Sequence, residues 1–312
     1  MNRHSAMLGR WIALILLVVT AAVSAAGAEG EIRELPVDLS GGAPYKETFK
    51  TNPDFYEDPT IRVERYRDLT NSDEYGRVHY FYCLVTIQSP TQLRTAAADP
   101  ENFVRGLEAT GSTMAKRMNA VLAMNGDFPN TRTKGEGSKY CLRQGKVFRD
   151  SVVETLDMLL IDEDGDFHVY PGGPELAELD KETIGGKKII NAFQFGPALV
   201  IDGEPVADEY VCDPAHSPWS ANPETHTARM CIGQIDTLHY IVFTCWDGMN
   251  LAQLRNLVLS ITPCRTLYVM DGGNSAQLIY LKGQINRDDN ENGNGRKIQD
   301  ILYFASAYFR DE

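Results

Sequence analysis

The sequence predicts an α+β fold: a mixed, largely antiparallel twisted sheet with a few packed helices, forming a single catalytic-type domain. Three observations point there. Aromatic and β-branched runs such as RVHYFYCLVTIQ (77–88) read as strands, and several follow one another across short turns. Helical spacing of apolar residues is confined to few stretches, the clearest being Asn250 to Ile261. Adjacent strand pairs and hairpin-like turns argue against a doubly wound parallel sheet.

The elements follow in order. Met1 to Arg10 carries two arginines and no acid, Trp11 to Val23 is apolar, and Ala26-Gly27-Ala28 offers a small-residue cleavage site. Residues 1–28 therefore read as a secretory signal, or as an N-terminal anchor if uncleaved. Residues 29–60 are polar and proline-containing, an N-terminal arm ahead of a domain over 61–312. Ile61–Asp68 alternates like a half-exposed strand, and 77–88 is the next strand. Asp99-Pro100 reads as a helix start. A helix from about Ser112 to Ala120 leads into a strand at Val121–Met124, which stops at Asn125-Gly126-Asp127-Phe128. Further strands are expected at 140–148, 155–161, 167–170, 187–193 and 198–201. A long loop over 204–226 has the length of a functional loop. Paired strands follow at 227–234 and 239–245, then the helix of Asn250–Ile261. A strand at 266–270 ends in Asp271-Gly272-Gly273-Asn274-Ser275, and the chain is strand-like again from Ala276 to Leu281.

Composition sets bounds on function. The net charge is −13, and loss of residues 1–28 would remove two arginines and leave −15. Such a body repels nucleic acid and anionic lipid, so an anionic substrate needs locally placed arginines. Export permits disulfides, and the six cysteines allow none to two, with no CxxC spacing among them. Cys212, His216 and His226 do not have zinc-site spacing. Asp288, Asn290 and Asn292 begin like a calcium loop, but Gln299 stands where the bidentate glutamate belongs. No metal or other cofactor is expected.

Four polar groups stand at strand ends or inside apolar runs. Asn125-Gly126-Asp127, Trp246-Asp247-Gly248 and Asp271-Gly272-Gly273 each combine an acid with glycine, and each alone is an ordinary turn. Arg229 lies among Ala228, Met230, Cys231 and Ile232, where a buried guanidinium needs an anionic partner. That partner is either an internal carboxylate or a substrate anion.

Taken together and in order, the pieces resemble the phosphodiester glycosidase family. The matching stretches are MAKRMNAVLAMNGDF (114–128), FGPALVIDGEPV (195–206), TARMCIGQ (227–234), CWDGMNLAQL (245–254) and LYVMDGGNSAQLIY (267–280). A tail with Asn286, Arg296 and a strand near Ile301–Phe304 completes a resemblance spanning about 80–305. Departures are Asn274 and Ala276 in place of a glycine and a serine, Thr227-Ala228 ahead of the arginine, and Pro129 in place of an aromatic. The resemblance implies one pocket holding Asn125, Asp127, Arg229, Asp247, Asp271, Gly272, Gly273 and Ser275.

It also implies hydrolysis of a sugar-1-phosphodiester such as a GlcNAc-1-phosphodiester; the signal at residues 1–28, for its part, makes this a secreted or cell-envelope protein that does not insert in the membrane once the signal is cleaved. On that reading the partner is a phosphorylated glycan or sugar-1-phosphodiester; nucleic acid is already excluded by the acidic charge. Asp271 would be base or nucleophile, with Asp127 or Asp247 as second carboxylate. Arg229 would grip the phosphate, with the N–H groups of Gly272 and Gly273 as a small anion cradle. Asn125 and Ser275 would orient sugar hydroxyls, and Arg132 and Lys134 would steer the substrate. The alternative is a non-catalytic domain that binds a glycan or cell-envelope polymer.

Overall fold

The longest strands, Ile61–Ser72 and Gly76–Ile87, pair along their whole length, from Ile61 with Ile87 to Ser72 with Gly76. They are rich in the β-branched and aromatic residues that suit a pleated surface. Gly76, at φ +68°, begins the second strand in a conformation that costs a glycine nothing. The computed structural model describes residues 30–35, 43, 49–129, 139–216, 227–281, 283–286 and 296–310.

This hairpin belongs to a nine-stranded sheet that continues through His239–Cys245, Arg229–Asp236, Thr266–Met270 and Ala198–Ile201. A five-stranded sheet has Ala120–Asn125 between Leu278–Tyr280 and Asp300–Ala305, with Leu93–Ala97 outside. A third sheet contains Cys141–Arg143, Lys146–Arg149, Met158–Asp162, Phe167–Tyr170 and Lys187–Gln194. Among the described residues every strand pairing is antiparallel. One apolar core joins the three sheets, taking Val121 and Met124 from one, Leu159 and Phe193 from another, and Met230 and Val269 from the largest. The α+β class is as predicted, with the strands divided among separate sheets.

The helix Leu251–Ile261 forms where its spacing placed it. Asn250 Oδ1 accepts from the Gln253 N–H at 2.8 Å, and Gln253 Oε1 accepts from the Asn250 N–H at 3.1 Å, a reciprocal cap. Leu251, Leu254, Leu257 and Val258 are its buried face. The helix Gly111–Arg117 is shorter than expected, because Asn119 takes φ +49° and the strand begins at Ala120. No helix starts at Asp99-Pro100. Asp99 instead caps a turn, accepting the Glu101 N–H at 3.0 Å and pairing with Arg105 at 2.8 Å, and Gly106 at φ +80° breaks any helical continuation.

The boundary drawn at residue 60 is not a boundary of the fold. Lys50–Asn52 and Phe55–Glu57 extend the nine-stranded sheet, and Tyr56 is wholly buried with its hydroxyl on Asp58 at 2.7 Å. Gly30–Ile32 pairs with Tyr308–Arg310, and Leu35 and Ala43 are buried. Apolar side chains recurring in a polar segment were enough to seat it. All six cysteines are free thiols. Of the 204–226 loop, Glu204–Pro205 is a strand, Asp208–Val211 a short helix, and 217–226 lie outside the described residues, as do the signal at 1–28, Arg132, Lys134, His226 and the run 288–295. No described helix is long and apolar enough to cross a membrane.

Candidate active site

The stretch after Met270 is not a hairpin. Thr266–Met270 belongs to the nine-stranded sheet and Leu278–Tyr280 to the five-stranded one, so Asp271 to Gln277 carries the chain between two sheets. The crossing is pinned on both sides. Gly273, at φ +56°, donates its N–H to the Ala228 carbonyl at 2.7 Å. A Cβ on Gly272 would stand 2.7 Å from that same oxygen, so only glycine lets the turn lie against Ala228 and Arg229. Asn125, at the end of its strand, donates to the Asp271 carbonyl at 2.7 Å and to the Gly126 carbonyl at 3.0 Å, and accepts from the Gln277 N–H at 3.0 Å. Asn286 brackets the return strand, donating to Ala276 O at 3.0 Å and accepting from Leu278 N–H at 2.9 Å.

The strand ends at Asn125 and Met270 are thereby joined at Asp271. Its carboxyl accepts from the Ser275 hydroxyl and faces the charges of Lys139 and Arg296. Burial is the largest influence on it and raises it above the ordinary carboxylate value, against those three groups. Asp271, Gly272 and Gly273 nonetheless keep part of their surface in solvent. A crevice there is lined by Asn125, Phe128, Asp271, Arg296, Gln299 and Asp300.

Beneath it lies a closed knot of charge. Arg143, with no exposed surface, donates to Asp127 Oδ1 at 2.6 Å and to Asp300 Oδ2 at 3.0 Å, and its guanidinium lies 4.0 Å from the Phe193 ring centroid. Asp127 Oδ2 accepts from the Gln194 N–H at 2.7 Å, and the Asp127 carbonyl accepts from Lys139 Nζ at 2.7 Å. Burial works against the charge of Arg143, but the two carboxylates outweigh it and hold the guanidinium protonated. For Asp300 burial dominates, with the Asp127 charge adding to it, and its carboxyl is pushed up to about 6 against Arg143 and Lys139. Burial likewise lowers Lys139, against the pull of Asp127, Asp271 and Asp300. Gly126 is required because a Cβ there would collide with the Asp300 carboxylate.

The predicted residues are thus partly brought together. Asn125, Asp127, Asp271, Gly272, Gly273 and Ser275 converge at the meeting of the two sheets. Arg229 lies beside them in the chain path, since Met230 pairs with Met270, and its Nε donates to the Met249 carbonyl at 2.8 Å. Burial lowers its guanidinium from the ordinary value. Asp247 is at the same end of the sheet but held elsewhere, accepting from the His79 N–H at 2.8 Å and lying 2.7 Å from His79 Nδ1.

Several expected roles need correction. Both Asp127 oxygens are committed to protein groups with no solvent exposure, so this residue builds the site rather than meeting a substrate. The Asn125 amide and the Ser275 hydroxyl hold Asp271, and the Gly273 N–H is occupied by Ala228. Lys139, Arg143 and Asp300 were missed as site residues. The signal was present in KYCLR and QDILYF: a charge set in an apolar run, the same pattern that singled out Arg229. Among the described residues no group of three His, Cys, Asp or Glu is placed to hold a metal ion.

The family profile for phosphodiester glycosidases matches residues 118–305, which span the whole assembly from Asn125 to Asp300. The chain belongs to this family. Its fold is similar to the catalytic domain of zebrafish N-acetylglucosamine-1-phosphodiester alpha-N-acetylglucosaminidase, auto-inhibited by its pro-peptide, with a TM-score of 0.64 and 17% identity over 85% of this chain and 87% of that one. A hypothetical protein from Synechocystis is similar at a TM-score of 0.51 and 12% identity, over 80% of this chain and 62% of that chain. No curated protein matches the chain.

Proposed function

We propose that this phosphodiester glycosidase is an exported hydrolase that cleaves the bond between a sugar's anomeric carbon and the phosphate of a phosphodiester. Water adds its hydroxyl to the anomeric carbon, the C–O bond breaks, and a phosphate monoester leaves with the bonding pair. The water's proton goes to a carboxylate. The observation that carries this reading is Asp271: a carboxyl with an open side, raised above its ordinary value by burial, held by Asn125 and Ser275 at the junction of two sheets and faced by Lys139 and Arg296. The zebrafish enzyme's name states the same bond type.

Asp271 is the base or nucleophile of this proposal. The leaving phosphate is a stable anion, so strong acid assistance is not required, and the second carboxyl in the crevice, Asp300, serves to keep a proton near the site rather than to attack. Arg296 in the crevice and Arg229 beside the Gly272 turn supply positive charge for the phosphate. The apolar leader of residues 11–23 and the acidic mature composition support export and an external glycan substrate.

The test is incubation with the methyl phosphodiester of GlcNAc-1-phosphate and measurement of free GlcNAc. Release by the wild-type protein and its loss in Asp271→Asn is the expected result. Binding of the compound without release by either protein overturns the hydrolase reading and makes this a glycan-binding domain.

A further inference from the structure

Arg94 is a buried guanidinium, 3% exposed, whose surroundings differ from those of Arg143. It stands on the outermost strand of the five-stranded sheet, opposite Tyr303. Its Nη2 donates to the Leu35 carbonyl at 2.7 Å, and its buried Nε meets no acceptor among the described residues. Burial lowers the guanidinium to about 10, with only the Tyr303 phenol acting against it. Arg143 has two carboxylates in contact; Arg94 has none near enough to matter. A guanidinium taken out of water is costly unless an anion meets it, and here the described chain supplies none.

Arg94 lines a cavity of about 410 Å³ between the strand Leu93–Ala97 and the third sheet. That lies within the range of about 300–1,000 Å³ that holds a small organic ligand. Asn191 lines it too, and is 1% exposed. Its Oδ1 accepts from the Thr95 hydroxyl at 2.8 Å and from the Gln144 N–H at 3.2 Å, which fixes the amide and leaves Nδ2 uncommitted among the described residues. Leu93 and Ile161, both buried, give the cavity an apolar wall. Its mouth has the opposite charge. Glu34 and Glu163 are exposed there, and Glu163 Oε1 accepts the Lys188 N–H at 3.1 Å. Asp162 and Asp164 complete the acidic lining and are held by Lys187 at 3.5 and 2.8 Å. Four carboxylates thus line the cavity against two cations, Arg94 within and Lys188 at the exposed rim.

We infer that this cavity binds a small amino acid as its zwitterion, with the carboxylate on Arg94 and Asn191 and the ammonium toward Glu34 and Glu163. A guanidinium fork beside an amide N–H matches the two oxygens of a carboxylate. The acidic mouth repels a dianion such as phosphate, and favours a ligand that carries a positive charge behind its carboxylate. Leu93 and Ile161 suit an apolar side chain between the two ends. The cavity shares no lining residue with the crevice at Asp271, so the inference stands apart from the hydrolase reading.

The test is titration calorimetry on the full chain with glycine, leucine, leucinamide, 4-methylpentanoate and inorganic phosphate. Leucine is expected to bind, and removal of either of its charges, in leucinamide or in 4-methylpentanoate, to weaken binding about tenfold or more. Arg94→Met should abolish leucine binding. Because Arg94 also holds the Leu35 carbonyl, that variant is paired with Glu34→Gln at an exposed position. Glu34→Gln should weaken leucine about tenfold and leave 4-methylpentanoate unchanged, with the melting temperature retained. Heat from neither leucine nor glycine overturns the site. Leucinamide bound as tightly as leucine overturns the carboxylate at Arg94, and phosphate bound as tightly as leucine overturns the amino-acid assignment.

Discussion

Two strand ends in this molecule carry nearly the same chemistry. Asn125-Gly126-Asp127 and Asp271-Gly272-Gly273 each follow a buried strand, each set an acid beside glycine, and they are joined by one amide at 2.7 Å. Their fates differ. Asp127 is sealed between Arg143 and the Gln194 N–H, whereas Asp271 keeps an open side and a carboxyl that burial raises above its ordinary value. The glycines differ in the same way. Gly126 makes room for the Asp300 carboxylate, while Gly273 supplies a left-handed backbone with nothing crowding its missing side chain. What an acid does here is decided by what another segment places opposite it, and a paired cation converts a reactive group into a structural one.

That contrast can be broken most forcefully at Arg143. Replacing it with Met strands two buried carboxyls, and denaturant unfolding should show a loss of about 3–5 kcal/mol. A loss below about 1 kcal/mol would mean that the knot is not structural. At the open end the expected effect is on turnover. Asp271→Asn should lower GlcNAc release by on the order of 10³-fold, about 4 kcal/mol of barrier, while thermal unfolding stays near that of the parent, since burial already disfavours the charge. A variant that unfolds but retains its specific activity would reverse the two assignments.

Asp300 sharpens the comparison through pH. Its folded-state carboxyl sits near 6, above the unfolded carboxylate, so between about 4 and 6 the native chain binds the additional proton. Stability attributable to this group is therefore full at low pH and falls as pH rises through that window, by about 3 kcal/mol. Unfolding free energies of the parent, measured from pH 4 to 7 against Asp300→Asn, should converge or cross in that direction; parallel curves would show that Asp300 does not retain its proton. The smallest effects distinguish the glycines. Gly126→Ala should cost about 1–3 kcal/mol through overpacking, and Gly273→Ala about 1–2 kcal/mol through its positive φ. Equal tolerance of both in a melting experiment would show that neither strand end is tightly held.

Local pattern carried a good part of this architecture. The Leu251–Ile261 helix announced its face in apolar residues at helical spacing, and the alternation of 61–68 and the aromatic run of 77–88 matched the two arms of a long hairpin. The ordered motifs from 114 to 280 sufficed for the family. Pattern failed where the outcome depended on distant partners. Asp99-Pro100 had the chemistry of a helix start but Asp99 was taken by Arg105 and Gly106 turned the chain at φ +80°, and the 29–60 segment looked dispensable until Tyr56, Leu35 and Ala43 found buried places. Lys139, Arg143 and Asp300 sat in or just before apolar strands, where a lone charge has no meaning without its counterion.

By itself, then, the chain's order of residues determined its strands, its principal helix, its acidic body, its family and the acid that leads the proposed chemistry. Only the tertiary structure decided that Asp271 stands between two sheets rather than in a hairpin, that Asp127 is sealed, and that Asp247 belongs to His79. The physical reason is that periodicity reports which side chains must leave water, a property of neighbours in sequence. The state of a buried charge is set by groups on other segments, 16 residues away for Arg143 and Asp127 and 157 for Arg143 and Asp300, and those distances exist only once the sheets have met.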